Sequence, residues 1–194
     1  MVDHDATEFA TRRRTELFDQ LVELFLTQGF RQLTLDQIAA ELRCSKSTLY
    51  TLAGSKDQLV RAAVVHYFRR ATDDVEAVVG RTSGARDRIT AYLSAVGDAL
   101  SRASDAFMSD LDGFAPAREI YQQNTALAMK RVQELISDGV ADGEFRGVHA
   151  AFAADMTATM MVRIQQGGVR ESIGLDDASA YRELAAILTA GIRA

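Results

Sequence analysis

Apolar residues fall at helical intervals along nearly the whole chain. Leu17, Phe18, Leu21, Leu24 and Phe25 recur three and four apart within about residues 8–28, which predicts a helix with one buried face. Gly29 follows where a helix end takes a residue with positive φ. A second helix is predicted from Thr34, whose hydroxyl pairs with Gln37 as a capping box; Leu35, Ile38, Ala39 and Leu42 form its apolar stripe. Arg43 and Cys44 break the pattern. Ser45 then reads as the cap of a very short helix, Lys46 to about Leu52, with Leu49 and Leu52 inward. Ser55-Lys56-Asp57-Gln58 opens a long helix to about Val79. After Gly80-Arg81-Thr82-Ser83-Gly84, a flexible connection, helices are predicted at about 86–102, 105–112, 116–139, 147–166 and 177–192. Pro116 suits a first turn, where its missing N–H costs nothing, and Gly139, Gly143 and Gly167-Gly168 mark helix ends. The expectation is an all-α chain of about nine helices.

Composition narrows the class. A hydrophobic fraction of 47% over 194 residues offsets the entropy of ordering, which excludes intrinsic disorder. One proline, no tryptophan and one cysteine fit long helices and exclude an internal disulfide or a cysteine-based zinc site. No stretch approaches the ~20 apolar residues of a membrane span, and Met1-Val2-Asp3-His4-Asp5 lacks the basic-then-apolar order of a secretory signal; a cytoplasmic protein is expected. The net charge of −5 is unevenly spread: residues 1–70 carry +1 and residues 71–194 carry −6. Such a chain binds nucleic acid only through a local surface in its first third.

That third holds the informative constellation: a capped helix, a turn of a few residues and a short capped helix, the order of a helix-turn-helix. The second helix buries Leu49 and Leu52 and leaves Ser45, Lys46, Ser47, Thr48 and Thr51 free. Small hydroxyls and one cation let backbone approach a duplex, donate to phosphates and touch base edges. A solvated surface turn with polar caps carries the same pattern, so both readings stand at this point.

Four pieces at the right spacing favour the first. Gly29-Phe30 ends the first helix; Thr34-Leu35-Asp36-Gln37-Ile38-Ala39 opens the second; Ser45-Lys46-Ser47-Thr48-Leu49-Tyr50 forms the third; Ser55-Lys56-Asp57-Gln58-Leu59 opens the fourth. Together they resemble the TetR family of bacterial transcriptional repressors over about residues 10–65. The resemblance implies that Thr34 binds phosphate, that Ser45, Lys46, Ser47, Thr48 and Thr51 face bases and nearby phosphates, and that Tyr50 and Lys56 reach the backbone. Two departures are local. Arg43-Cys44 stands where the family has Gly-Val, which costs backbone freedom and adds Arg43 to the DNA-binding set. Leu52-Ala53 replaces His-Phe and removes a polar contact. Arg12-Arg13-Arg14 opposes the macrodipole near a helix start; it reads either as a grip on DNA backbone or as a solvated face.

The resemblance also implies a head of residues 1–55 for DNA binding, joined through the long helix to residues 56–194 for ligand binding and dimerisation. About four reading side chains, at ~1–3 kcal/mol of discrimination each, reach the ~4–10 kcal/mol of a specific regulator easily only when doubled. A two-fold homodimer on a palindromic operator in double-stranded DNA is therefore expected. Its apolar contacts are expected from Met161, Ile164, Tyr181, Leu184 and Leu188. A pocket for an apolar or amphipathic effector is expected among Tyr92, Phe107, Met108, Tyr121, Met129, Phe152, Met156 and Met160, although such residues also fill plain cores. Scattered His4, His66 and His149 make no metal site; neither a cofactor nor an enzymatic activity is expected. The competing function is a helical protein-interaction adaptor that has lost specific DNA reading.

Overall fold

The computed structural model describes the backbone of residues 2–194 and the side chains of residues 11–194; the side chain of His4 lies outside these. Among the described residues ten helices follow in chain order: α1 (Val2–Gln28), α2 (Leu35–Glu41), α3 (Lys46–Leu52), α4 (Lys56–Gly80), α5 (Ala85–Ser101), α6 (Asp105–Gly113), α7 (Ala115–Ala141), α8 (Ala150–Gln165), α9 (Gly168–Ile173) and α10 (Asp177–Gly191). The fold is all-α, as the periodicity predicts. One helix is additional: α9 lies between Gly167 and Gly174, both left-handed at φ 76° and 74°. α8 begins later than expected because His149 is its N-cap, its Nδ1 accepting the Phe152 N–H.

The helices form two compact units, residues 1–69 with 103–120, and residues 70–102 with 121–194. The chain thus changes unit within α4 and within α7, and α6 belongs with the first three helices although it follows them by fifty residues. In the first unit, Leu21, Phe25, Phe30, Ile38, Leu49 and Leu59 are buried together with Phe107 and Leu111 of α6. Phe30 meets Phe25, Phe107 and Phe114 ring to ring. Asp110 Oδ2 accepts the backbone N–H groups of Phe30 and Arg31 at 2.6 and 2.8 Å, which fixes the loop before α2. Gly29 is required there twice over: its φ is +74°, and a Cβ would stand 2.6 Å from that carboxylate oxygen. His66 of α4 pairs with Asp19 of α1 at 2.7 Å and stacks on Phe18.

In the second unit, α5, α8 and α10 pack round Ile89, Leu93, Ile164, Tyr181 and Leu188. Gly97 of α5 lets the Tyr181 ring lie against its backbone. Phe145 pairs with Arg193 as an isolated bridge, and Glu144 caps α5 through the Ala85 N–H. Among the described residues no helix is long and apolar enough to cross a membrane.

Candidate nucleic-acid interface

The first unit presents α2, a four-residue turn and α3. Thr34 is the N-cap of α2 in extended conformation, and the capping box with Gln37 is complete: each residue accepts the other's backbone N–H. The Thr34 hydroxyl itself donates to Gln37 Oε1 at 2.9 Å. α2 ends in a Schellman arrangement: the Arg43 N–H donates to the Ala40 carbonyl and the Cys44 N–H to that of Ala39. Arg43 is the left-handed residue, at φ 49°, the position glycine ordinarily takes. Its guanidinium is exposed. Cys44 is half-buried, and burial pushes its thiol up, so it fills space as a small apolar group.

Ser45 caps α3 by accepting the Thr48 N–H at 3.1 Å. Its hydroxyl also shares hydrogen bonds with Ser47 at 2.7 Å and Thr48 at 2.9 Å, and Thr51 donates to the Thr48 carbonyl. Behind this polar edge Leu49 and Leu52 are 1% and 8% exposed. Burying the two stabilises the head by roughly 1.5–3 kcal/mol each, which holds a seven-residue helix that would not persist alone. Ser45, Lys46, Ser47, Tyr50 and Thr51 are exposed and Thr48 is half-buried. The nine predicted DNA residues therefore all lie on the first unit.

Both lysines are engaged within the chain. Lys46 Nζ is 2.8 Å from Asp36 Oδ1, a pairing that raises its pKa through the hydrogen bond and the carboxylate's charge. Lys56 Nζ donates to the Arg31 carbonyl at 2.8 Å. The arginine run divides. Arg12 and Arg13 pair with Glu16 on the surface, whereas Arg14 donates to the carbonyls of Thr51 and Leu52 at the end of α3. Pattern reasoning misses Arg14, because its partners lie 37 and 38 residues away, and misses the pairing of Asp36, although that residue sits within the Thr34–Ala39 motif.

The expectations for the C-terminal part need correction. Met161, Ile164, Tyr181 and Leu188 lie in the protomer's own core, 1–4% exposed, and leave no surface for a second copy; Leu184 is half-buried against that core. Phe152, Met156 and Met160, expected in a pocket, lie on the outside of α8 at 68%, 50% and 37% exposure. Phe107 is buried in the first unit against Phe30 and Tyr67, with Met108 beside it on α6 and half-buried. Tyr92, Tyr121 and Met129 remain inside the second unit. There Tyr121 donates to Gln165 Oε1, and Gln165 Nε2 donates to the Tyr181 hydroxyl at 2.7 Å. Burial pushes the Tyr121 phenol up to about 12 and those of Tyr92 and Tyr181 higher.

Residues 17–63 match the model of the family described as bacterial regulatory proteins, tetR family. The HTH-type transcriptional regulator BetI of Brucella anthropi is 34% identical over 82 residues, 42% of each chain. An uncharacterised HTH-type transcriptional regulator of Mycobacterium tuberculosis is 37% identical over 75 residues, 39% of this chain and 35% of that one. The chain thus matches less than half the length of these curated relatives. Over nearly full length the fold is similar to a putative transcriptional regulator from Saccharomonospora viridis in complex with choline, with a TM-score of 0.77, 16% identity, and 95% and 99% of the two chains covered. It is also similar to the fatty acid degradation regulator FadR from Bacillus halodurans, with a TM-score of 0.70, 14% identity, and 93% and 96% covered. The helix-turn-helix segment of this chain, residues 17–63, thus matches the tetR family of bacterial regulatory proteins, and its all-helical fold is similar to that of solved transcriptional regulators over nearly the whole chain.

Proposed function

We propose that this chain is a DNA-binding transcriptional repressor that holds a palindromic operator as a homodimer and lets go when a small organic ligand binds its C-terminal part. The observation that carries the reading is the polar edge of α3, exposed at Ser45, Lys46, Ser47, Tyr50 and Thr51 and backed by the buried Leu49 and Leu52. In this reading residues 1–55, with Lys56 at the start of the long helix, supply the DNA contacts, and the rest of residues 56–194 the ligand and dimer functions. Ser47, Thr48 and Lys46 meet base edges; Thr34, Arg43, Ser45, Tyr50, Thr51 and Lys56 meet phosphates or nearby groups.

The second copy covers the exposed stripe of α8, Phe152, Met156 and Met160, which recur every fourth residue, together with Ile187 of the adjoining α10. A contiguous apolar stripe of this kind marks an interaction surface, and two-fold pairing makes it self-complementary. The ligand lies in the second unit near Tyr92, Tyr121 and Met129. A small quaternary ammonium compound is the first ligand class to test, since aromatic faces attract such cations and the S. viridis neighbour holds choline.

The test is selection of bound duplexes from a random-sequence pool, followed by titration of the enriched duplex with and without choline. A single inverted-repeat sequence is expected, and Lys56→Ala should weaken its binding and flatten the salt dependence by about 0.9 in log–log slope per protomer, one phosphate contact from each copy. A pool with no enriched sequence at low salt would overturn the reading in favour of an adaptor.

A further inference from the structure

Leu49 and Leu52, three residues apart, anchor α3 through one narrow face only, which leaves its roll loosely constrained. Each end of the helix carries a charged fastening that could supply the missing constraint. At the C-terminal end, Arg14 Nη1 donates to the Thr51 carbonyl at 3.0 Å and Nη2 to the Leu52 carbonyl at 3.3 Å. These are the carbonyls that a helix end leaves without partners, and a cation there also suits the dipole. The guanidinium is held in turn over the Phe18 ring, 5.4 Å from its centroid, on a helix whose own face is buried. At the N-terminal end, Asp36 of α2 holds Lys46 Nζ at 2.8 Å while staying 74% exposed. An ammonium has three donors; with one given to Asp36, two remain, the number that the O6 and N7 acceptors of a guanine take up.

We propose that Arg14 and Asp36 are specificity-determining positioning residues, which set the roll of the recognition helix and the aim of Lys46 rather than contact sequence themselves. The proposal rests on the DNA reading above. It separates from a simple charge effect because the two residues have opposite sign. As mere charges near a duplex, Arg14 would aid every DNA and Asp36 would oppose every DNA, so removing them would move all affinities in opposite directions and leave the ratio of enriched to scrambled duplex untouched. As fastenings, both losses lower that ratio.

The experiment measures binding of Arg14→Gln, Arg14→Lys and Asp36→Asn to the enriched duplex and to a scrambled duplex of the same composition, with amide exchange on the free chains. The ratio should fall about tenfold in each variant, the value of one misplaced base contact, while scrambled-duplex affinity falls in Arg14→Gln and rises in Asp36→Asn. Arg14→Lys keeps the charge but lacks the fork that spans two carbonyls, so it should lose the ratio and retain scrambled-duplex affinity. Amide exchange at Thr51–Ala53 should quicken in both Arg14 variants, with α1 and α4 unchanged, which shows that the variants are folded. An unchanged ratio in Arg14→Gln and Asp36→Asn overturns the proposal. If the original chain prefers no sequence, the DNA reading fails instead, and the exchange result stands apart from it.

Discussion

Arg43→Gly should stabilise the protein and weaken its hold on DNA at once. Arg43 occupies the left-handed position of the α2 C-cap at φ 49°, where an L side chain costs roughly 1–2 kcal/mol. Glycine removes that cost and gives back about 0.5–1 kcal/mol through its freer unfolded state. Arg43 is exposed, and the cap bonds use backbone groups that glycine also has, so the substitution leaves the rest of the fold as it is. The net gain is about 0.5–1 kcal/mol, which for a chain of this size raises Tm by roughly 1–4 °C. If the guanidinium of each protomer grips one phosphate, its removal lowers the salt slope of operator binding by about 0.9 per phosphate. Thermal melting and a salt-titrated binding assay read the two effects separately. A lower Tm would refute the argument from backbone strain, and an unchanged salt slope would remove Arg43 from the DNA face. Arg43→Asn, which tolerates the same conformation, should follow glycine in slope.

Gly97→Ala should destabilise the second unit by about 1–3 kcal/mol, because the added Cβ would meet Tyr181 ring carbons at 2.9 and 3.0 Å while that ring is fully buried and its hydroxyl is held by Gln165; denaturant unfolding measures it. Alkali should unfold the protein for a related reason. Tyr121 is raised to about 12, and Tyr92 and Tyr181 are raised by burial as well, against about 10 in the unfolded chain. Their contribution is complete below pH ~10 and is lost as pH climbs from there through about 12, since the unfolded state releases its protons first; the phenolate absorbance of these three tyrosines, read against variants that replace each with Phe, should therefore appear together with loss of helix, not before it. Met156→Lys should convert the proposed dimer to monomer in sedimentation at micromolar concentration, since it places a charge at the centre of each copy's apolar stripe; a dimer that persists would move the interface off α8.

The head is legible residue by residue because its determinants are local. Caps, capping boxes and a left-handed turn position are set by residues three to six apart, so Thr34 with Gln37, Ser45 with Thr48, and the glycine-like site at Arg43 can be placed before any packing is known. What escapes is non-local. Arg14 lies in a run of three identical side chains, and nothing in the run distinguishes the one whose partners are the carbonyls of α3. Asp110 gives no sign in its own helix that it will clasp the backbone of Phe30 and Arg31. α9 is invisible to periodicity because Gly167-Gly168 ends one helix and Gly174 follows too soon for a pattern to build.

The largest departure from expectation, the exchange of core and surface on α8, has a single cause. Its sequence is apolar on two faces: Ala153, Ala154, Thr157, Ala158, Met161 and Ile164 form one stripe, and Phe152, Met156 and Met160 form another. Periodicity finds apolar stripes but does not rank them. Size misleads here, because large side chains suggest the interior, whereas the inner stripe carries four small residues. Small residues let neighbouring helices approach closely, and α10 does so with Ala180 and Ala185 on its buried side. The large residues are left outside, where a helix of a solitary protomer would carry charge. A helix apolar on both faces is ordinarily covered on both, by its own core on one and by a neighbour on the other. The same feature that hides pocket and interface from periodicity is thus the best argument that a second copy belongs on α8.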